Sequence, residues 1–201
     1  MKRIFTLCLA MILCLSVVTL FSSCDTPKTT QTKTQETKTT EETTAPLSTE
    51  NSEYPLPEGY ARFNNGSVSF VYPATWTKQE NGGTAMLLDA TNGNNITVTS
   101  EPYSNAYDNL TAAGYQQMTQ DAFTQAGISI RDVVVKRETL ASGDRVTLIS
   151  HTTTQTGSPL VLKQTIYIVK SGSLNVVVTL TLNGGSVEVE TRLKQSFSSV
   201  K

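Results

Sequence analysis

Leu174-Asn175-Val176-Val177-Val178-Thr179-Leu180-Thr181-Leu182 is the stretch whose pattern sets the fold class. Leu174, Val176, Val178, Leu180 and Leu182 alternate with Asn175, Val177, Thr179 and Thr181, and a strand sends alternate side chains to opposite faces. One face therefore belongs in a core. Val177 among the threonines predicts that the second face is partly covered as well. Three more strands precede it, over residues 128–140, 145–154 and 160–170. They are joined by Ser142-Gly143-Asp144, Thr156-Gly157-Ser158-Pro159 and Ser171-Gly172-Ser173, connections too short for a crossover. Consecutive strands must then be antiparallel neighbours in a four-strand meander.

Upstream of the meander the period changes. Across residues 106–126, Leu110, Gly114, Met118, Ala122 and Ala126 fall four apart, flanked by Tyr107, Tyr115 and Phe123. This predicts a helix with one broad apolar face laid on the sheet, with Asn105 as N-cap, Asp108 in the first turn and Gly127 as the stop. Nearer the start of the domain, Pro55 and Pro57 bar a helix, and Val68, Phe70 and Tyr72 define a strand ended by Pro73. Residues 85–89 and 96–100 read as two strands around Ala90-Thr91-Asn92-Gly93-Asn94-Asn95, in which Asn-Gly is a hairpin signal. After the meander, Gly184-Gly185 leads to a second helix from about Ser186. Its stripe is Val189, Leu193, Phe197 and Val200, and Glu188 and Glu190 near the start with Lys194 and Lys201 toward the end suit the helix dipole.

These elements make an α+β domain, an antiparallel β-sheet flanked by helices. Their order, together with Phe70-Val71-Tyr72-Pro73-Ala74-Thr75-Trp76 and the late Ser196-Phe197, resembles the PsbP/Mog1 fold group. The resemblance spans nearly all of residues 54–201 and implies an α/β/α sandwich. It implies little about function, because the group includes photosystem II extrinsic subunits, a Ran-binding protein and bacterial lipoproteins.

The first 24 residues read differently. Lys2 and Arg3 precede an apolar run over residues 4–21, which closes in Phe21-Ser22-Ser23-Cys24. This is the build of an export signal. It resembles the bacterial lipoprotein signal, with Phe21 where Leu is usual, and the resemblance implies removal of residues 1–23 and acylation of Cys24. The alternatives are an ordinarily secreted protein and an uncleaved anchor, since a run of 18 residues is also near the minimum for crossing a bilayer. Residues 24–53 are dominated by Thr with Gln, Lys, Glu and Ser, and cannot bury enough to order themselves. As a random chain they would span on the order of 30 Å. The expected arrangement is a domain tethered to the outer face of a bacterial cytoplasmic membrane through acylated Cys24.

Composition restricts the chemistry. From Tyr54 onward six Lys and five Arg balance five Asp and six Glu, so no net field draws nucleic acid to the domain. Arg131, Lys136 and Arg137 read as a solvated strand face. Cys8, Cys14 and Cys24 are the three cysteines and His151 is the only histidine, which leaves no His/Cys set for zinc. His151 sits in mid-strand, in line with Ile149 and Thr153, without a nucleophile beside it. The oxygen-rich loop from Asp89 lacks the spaced carboxylates of a calcium loop. No Lys-Ser or Lys-Thr follows the Gly pairs, so no phosphate loop is present in the sequence.

The side chains left for recognition are aromatic. Trp76 with Tyr72 could floor a pocket, and Tyr103 and Tyr107 stand before and within the first turn of the expected long helix. The reading is a non-enzymatic interaction or accessory module with an unidentified protein partner and no cofactor. Its rivals are a single-domain binder of a small ligand and a hydrolase using a carboxylate pair such as Glu101 and Asp108.

Overall fold

The computed structural model describes residues 54–184 and 186–199. The signal, Cys24, the tether and Val200 of the expected helical stripe lie outside the described residues. Five strands come first, β1 (Tyr60–Asn64), β2 (Val68–Pro73), β3 (Thr77–Asn81), β4 (Thr84–Leu88) and β5 (Asn95–Pro102). A 3-10 turn (Asn105–Tyr107) and helix α1 (Ala112–Gln125) follow, then the meander β6 (Ile128–Thr139), β7 (Arg145–Gln155), β8 (Val161–Ser171) and β9 (Leu174–Asn183). Helix α2 (Val187–Ser196) and the short strand β10 (Ser198–Ser199) end the fold.

The expected meander is present, and β5 joins it beside β9. One sheet runs β3-β4-β5-β9-β8-β7-β6 and a second, smaller one runs β1-β2-β10. On β9, Val176, Val178, Leu180 and Leu182 face a core shared with the small sheet and α2, where Phe63, Phe70, Leu193 and Phe197 are buried. The opposite face carries Val177 into a second core with Ile149, Ile166 and Ile168, covered by Tyr115 and Phe123 of α1. Helices flank the large sheet as expected, with the small sheet helping α2 on one side.

Three strands escaped the sequence reading: the two-residue β10, which falls where the helical stripe was expected to continue, and β3 and β1 for other reasons. β3 is exposed at every residue and carries no apolar side chain. Only its pairing with β4 makes it a strand. β1 has a single fully buried residue, Phe63, and so lacks an alternating pattern. The hairpin around Asp89 formed where Asn-Gly placed it. Burial pushes the Asp89 carboxyl up, but hydrogen bonds from Asn92, Thr91 and Asn94 outweigh it and hold the group below its ordinary range.

The long helix begins later than its period implied. Ser104, not Asn105, caps the 3-10 turn, and Thr111 caps α1, accepting from the Gly114 amide at 3.1 Å. Arg137 of β6 donates to the carbonyl oxygens of Tyr107, Asp108 and Leu110 and holds this segment as a turn ahead of the helix. The buried stripe is Tyr115, Thr119 and Phe123, one position on from the Gly114-Met118-Ala122 row.

At the other end, Ser196 is the last helical residue and Phe197 is already extended. Ser196 Oγ accepts from the Val71 amide at 2.9 Å and donates to the Arg192 carbonyl at 2.7 Å, stitching α2 to β2. Phe197 then stacks between Phe70 and Tyr167, at 6.2 Å and 5.5 Å. This is what the Ser-Phe pair does. Asp144, in the β6–β7 turn, closes the structure by accepting from the Ser199 amide at 2.7 Å, from Ser199 Oγ and from Ser142 Oγ.

A buried carboxylate with three donors is worth more than one neutral hydrogen bond. Asp144→Ala should therefore lower unfolding free energy by about 2–3 kcal/mol in urea titrations, whereas Ser142→Ala should cost about 1 kcal/mol or less. Equal effects from the two would show that the clasp on Ser199 contributes nothing.

Candidate functional site

One end of the large sheet gathers polar side chains from five strands. Its rungs pair Thr139 with Arg145, Lys170 with Asn175, and Asn175 with Glu101. Arg145 and Lys170 lie one rung beyond the Val146–Val169 pair, so they are cross-strand neighbours. Arg145 lies two residues from Thr147 and Lys170 two from Ile168, which places both on the α1 side of the sheet. Glu138 points the other way and pairs with Lys194 of α2.

The loop over residues 103–110 roofs this end. Tyr103 N donates to the Ser173 carbonyl at 2.9 Å, and Asn175 Nδ2 donates to the Ser104 carbonyl at 3.1 Å. Thr147 Oγ1 donates to the Tyr107 carbonyl at 3.2 Å, beside the grip of Arg137 described above. Arg137 is thus a clamp on the loop as well as part of the solvated face, since it stays exposed.

Two phenol–carboxylate pairs result. Tyr107 Oη donates to Glu101 at 2.6 Å and Tyr103 Oη donates to Asp108 at 3.0 Å. The Asp108 hydrogen bond raises the Tyr103 phenol above its ordinary range. Lys170 Nζ rests 4.4 Å from the centre of the Tyr103 ring, a cation–π contact. Between these groups is a cleft of about 670 Å³, lined by Tyr103, Asp108, Arg145, Lys170 and Asn175 among others.

The structure separates the residues that the sequence offered for recognition. Tyr103 is exposed at the cleft and Tyr107 is buried in its wall. Trp76 and the partly buried Tyr72 pack in the first core. They line none of the described clefts. Glu101 and Asp108 do come to the same end of the sheet, each engaged by a different tyrosine. Arg145, Lys170 and Asn175 were missed, since only strand register brings together residues 25 positions apart in sequence.

His151 is elsewhere. It is 2% exposed, opposite a β-bulge on β6 where register shifts between Arg131 and Val134 and Asp132 adopts a φ of 57°. Tyr115 and Phe123 of α1 lie against it, with ring centres at 5.5 Å and 6.2 Å. Its Nε2 meets Gln164 Oε1 at 2.9 Å, and Gln164 Nε2 donates to Thr181 Oγ1 at 3.1 Å. With the Gln164 amide in this orientation its oxygen accepts, which puts the proton on Nε2. Nδ1 has no hydrogen-bond partner among protein atoms. Burial pushes the imidazole down to about 4, against a smaller upward pull from Gln164.

Another cleft, of about 390 Å³, lies between α2 and the β6–β7 end, with Leu140, Leu148 and Tyr167 on its wall. Burial chiefly, then the nearby Glu190 and Glu138, pushes the Tyr167 phenol upward. Among the described residues no group of three His, Cys, Asp or Glu side chains could hold a metal ion, and no helix is long and apolar enough to cross a membrane.

This architecture is the PsbP-like α+β fold. The chain is similar to the solution structure of cyanobacterial PsbP (CyanoP) from Synechocystis sp. PCC 6803, with a TM-score of 0.55 at 14% identity, over 70% of this chain and 92% of that one. Weaker likenesses are to the Saccharomyces cerevisiae Ran-binding protein Mog1p and to LpqN, involved in cell envelope biogenesis of Mycobacterium tuberculosis. Mog1p gives a TM-score of 0.47 at 9% identity, over 71% of this chain and 96% of that one. LpqN gives 0.39 at 9% identity, over 71% and 91%. No protein-family model and no curated protein sequence matches the chain. At such identity the likeness defines a fold.

The imidazole supplies a test of the second core. Its pKa of about 4 in the fold lies below the 6.5 of an unperturbed histidine, so the unfolded chain binds the proton more tightly. His151 therefore erodes stability as pH falls from about 6.5 to about 4, by roughly 3 kcal/mol at the acid end. Urea unfolding at pH 7.5 and pH 4.5 should show a larger acid loss in the wild type than in His151→Gln. Identical slopes would place the ring in contact with water.

Proposed function

We propose that this chain is a non-catalytic accessory lipoprotein, held at the outer face of a bacterial cytoplasmic membrane by acylated Cys24. Residues 24–53 act as a loose tether and the cleft around Tyr103 is the working surface. The observation that carries the reading is that the carboxylates at the cleft are already engaged, Asp108 by the Tyr103 phenol and Glu138 by Lys194, as is the neighbouring Glu101 by Tyr107. A general acid or base must meet its substrate with a free proton or lone pair in reach. Asp108 instead holds the exposed Tyr103 ring at the cleft, and Glu101 holds Tyr107 in its wall. The only histidine supports the same reading, because it is buried beneath α1.

A small-ligand binder is the second reading, and the cleft favours it. About 670 Å³ falls within the range of small-molecule sites. A carboxylate-dependent hydrolase is supported least, since Glu101 and Asp108 would each have to give up a tyrosine. An aromatic at the surface of a cleft also suits a protein partner.

Two measurements bear on this. Labelling with a palmitate analogue should mark the wild type and leave Cys24→Ala unmarked and released from the membrane fraction; equal labelling removes the anchor. Cross-linking in intact membranes should capture a discrete partner whose yield falls about tenfold in Tyr103→Ala and is unchanged in Gln79→Ala on the exposed edge strand β3. Equal yields from all three chains would take the contact away from the cleft.

A further inference from the structure

Arg145 and Lys170 are both exposed and neither forms an ion pair with a carboxylate among the described residues. Like charges on facing strands repel, and a sheet gains nothing by holding them together. Every other charged group at this end is engaged. Glu138 is held by Lys194, Asp108 by Tyr103 and Glu101 by Tyr107. Arg137 gives its N–H groups to the carbonyls of the loop, so its charge remains while its donors are used.

The donors follow the same division. Thr147 Oγ1 and Asn175 Nδ2 are spent on loop carbonyls, and the Tyr103 hydroxyl is spent on Asp108. What remains facing the cleft is the Arg145 guanidinium and the Lys170 ammonium, with the Thr139 hydroxyl beside them and Arg137 behind as a third positive charge. Against these cations stand the tyrosine-bound Asp108 and Glu101 and the Glu138 carboxylate, whose charge Lys194 opposes. The cleft can therefore take an acceptor-rich anion and offers little to a donor-rich ligand.

We propose that the cleft binds a phosphate-type oxyanion, seated between Arg145 and Lys170 beside the Tyr103 ring. An arginine fork suits a phosphate face, the ammonium supplies a point charge, and together they oppose a dianion. A carboxylate carries one charge and leaves one of the two cations unopposed. A phosphate with a free monoester or inorganic form carries close to two charges at neutral pH. The inference rests on the cleft being the working surface. It does not depend on the anchor.

The test uses the full chain in neutral detergent at fixed ionic strength, with inorganic phosphate and acetate as probes in side-chain NMR titrations. Phosphate should saturate with shifts confined to Arg145, Lys170 and Tyr103, and acetate should bind at least about tenfold more weakly. Arg145→Gln and Lys170→Gln should each weaken phosphate binding about tenfold, and Lys136→Gln, an exposed cation on β6, by less than twofold.

A second arm replaces free phosphate with phosphatidylcholine vesicles containing phosphatidic acid. Binding is counted as the Arg145, Lys170 and Tyr103 shifts that are absent in pure phosphatidylcholine vesicles, which take up the acyl anchor alike. Binding to vesicles alone, abolished in the double variant, identifies the anion as a headgroup; binding of free phosphate, abolished likewise, identifies a soluble one. No saturable binding in either arm, binding that survives the double variant, or equal affinity for acetate overturns the proposal. Each of those failures leaves the palmitate label on Cys24 unaffected, so the two readings fail separately.

Discussion

Val176 and Val177 are neighbours on β9, face opposite ways and are both buried. A strand with that property cannot sit on the surface of a single-layer sheet. Each face must be covered by something else, and burying an aliphatic side chain of this size contributes about 2 kcal/mol toward holding the cover in place. The two covers differ in kind. On one side the small sheet and α2 present an aromatic column, Phe63, Phe70, Phe197 and Tyr167, whose successive ring centres are 4.8, 6.2 and 5.5 Å apart. On the other, α1 lays Tyr115 and Phe123 across the isoleucines of β7 and β8.

The second side is chemically graded along β7. Arg145, Thr147, Ile149, His151 and Thr153 share one face, from the open cleft through an apolar centre to a buried polar end. The two polar ends are managed in opposite ways. At the cleft, the loop turns its carbonyls inward to Arg137 and Thr147, so that its tyrosines are held from both backbone and hydroxyl. Beneath α1, the polar groups form the His151–Gln164–Thr181 row, in which each strand supplies one member. Ile149 separates them, so proton affinity at His151 and charge at Arg145 are set by independent surroundings.

Periodicity disclosed most of the scaffold. The four strands of the meander appear within a residue or two of where alternation put them, and Val177 announced its covered face. The failures have physical causes. β3 has no apolar residue to alternate. α1 starts at the Thr111 cap, and the turn before it is held by Arg137, some 25 residues downstream, a contact that no local pattern could reveal. Phe197 keeps the spacing of the α2 stripe yet lies beyond the helix, because burial between Phe70 and Tyr167 selects side-chain position and not backbone conformation. The cleft was readable only in half. Tyr103, Tyr107, Glu101 and Asp108 are close in sequence and could be singled out together, while Arg145, Lys170 and Asn175 meet them solely through the register of β7, β8 and β9.

That division bears on what a fold likeness at 14% identity can carry. The cores depend on alternating apolar positions, which many sequences satisfy, so the same two-cover arrangement can persist while little sequence is shared. The end rungs are under a different constraint. Arg145, Lys170 and Asp108 are exposed, contribute little apolar burial, and can change without disturbing either core. Their arrangement therefore cannot be inherited from the scaffold's packing requirements. A pair of cations without a carboxylate partner at such a position costs stability slightly, and the contact of Lys170 with the Tyr103 ring offsets it only on one side. The oxyanion proposed for the cleft would oppose that pair from outside, which no residue of the packed scaffold is required to do.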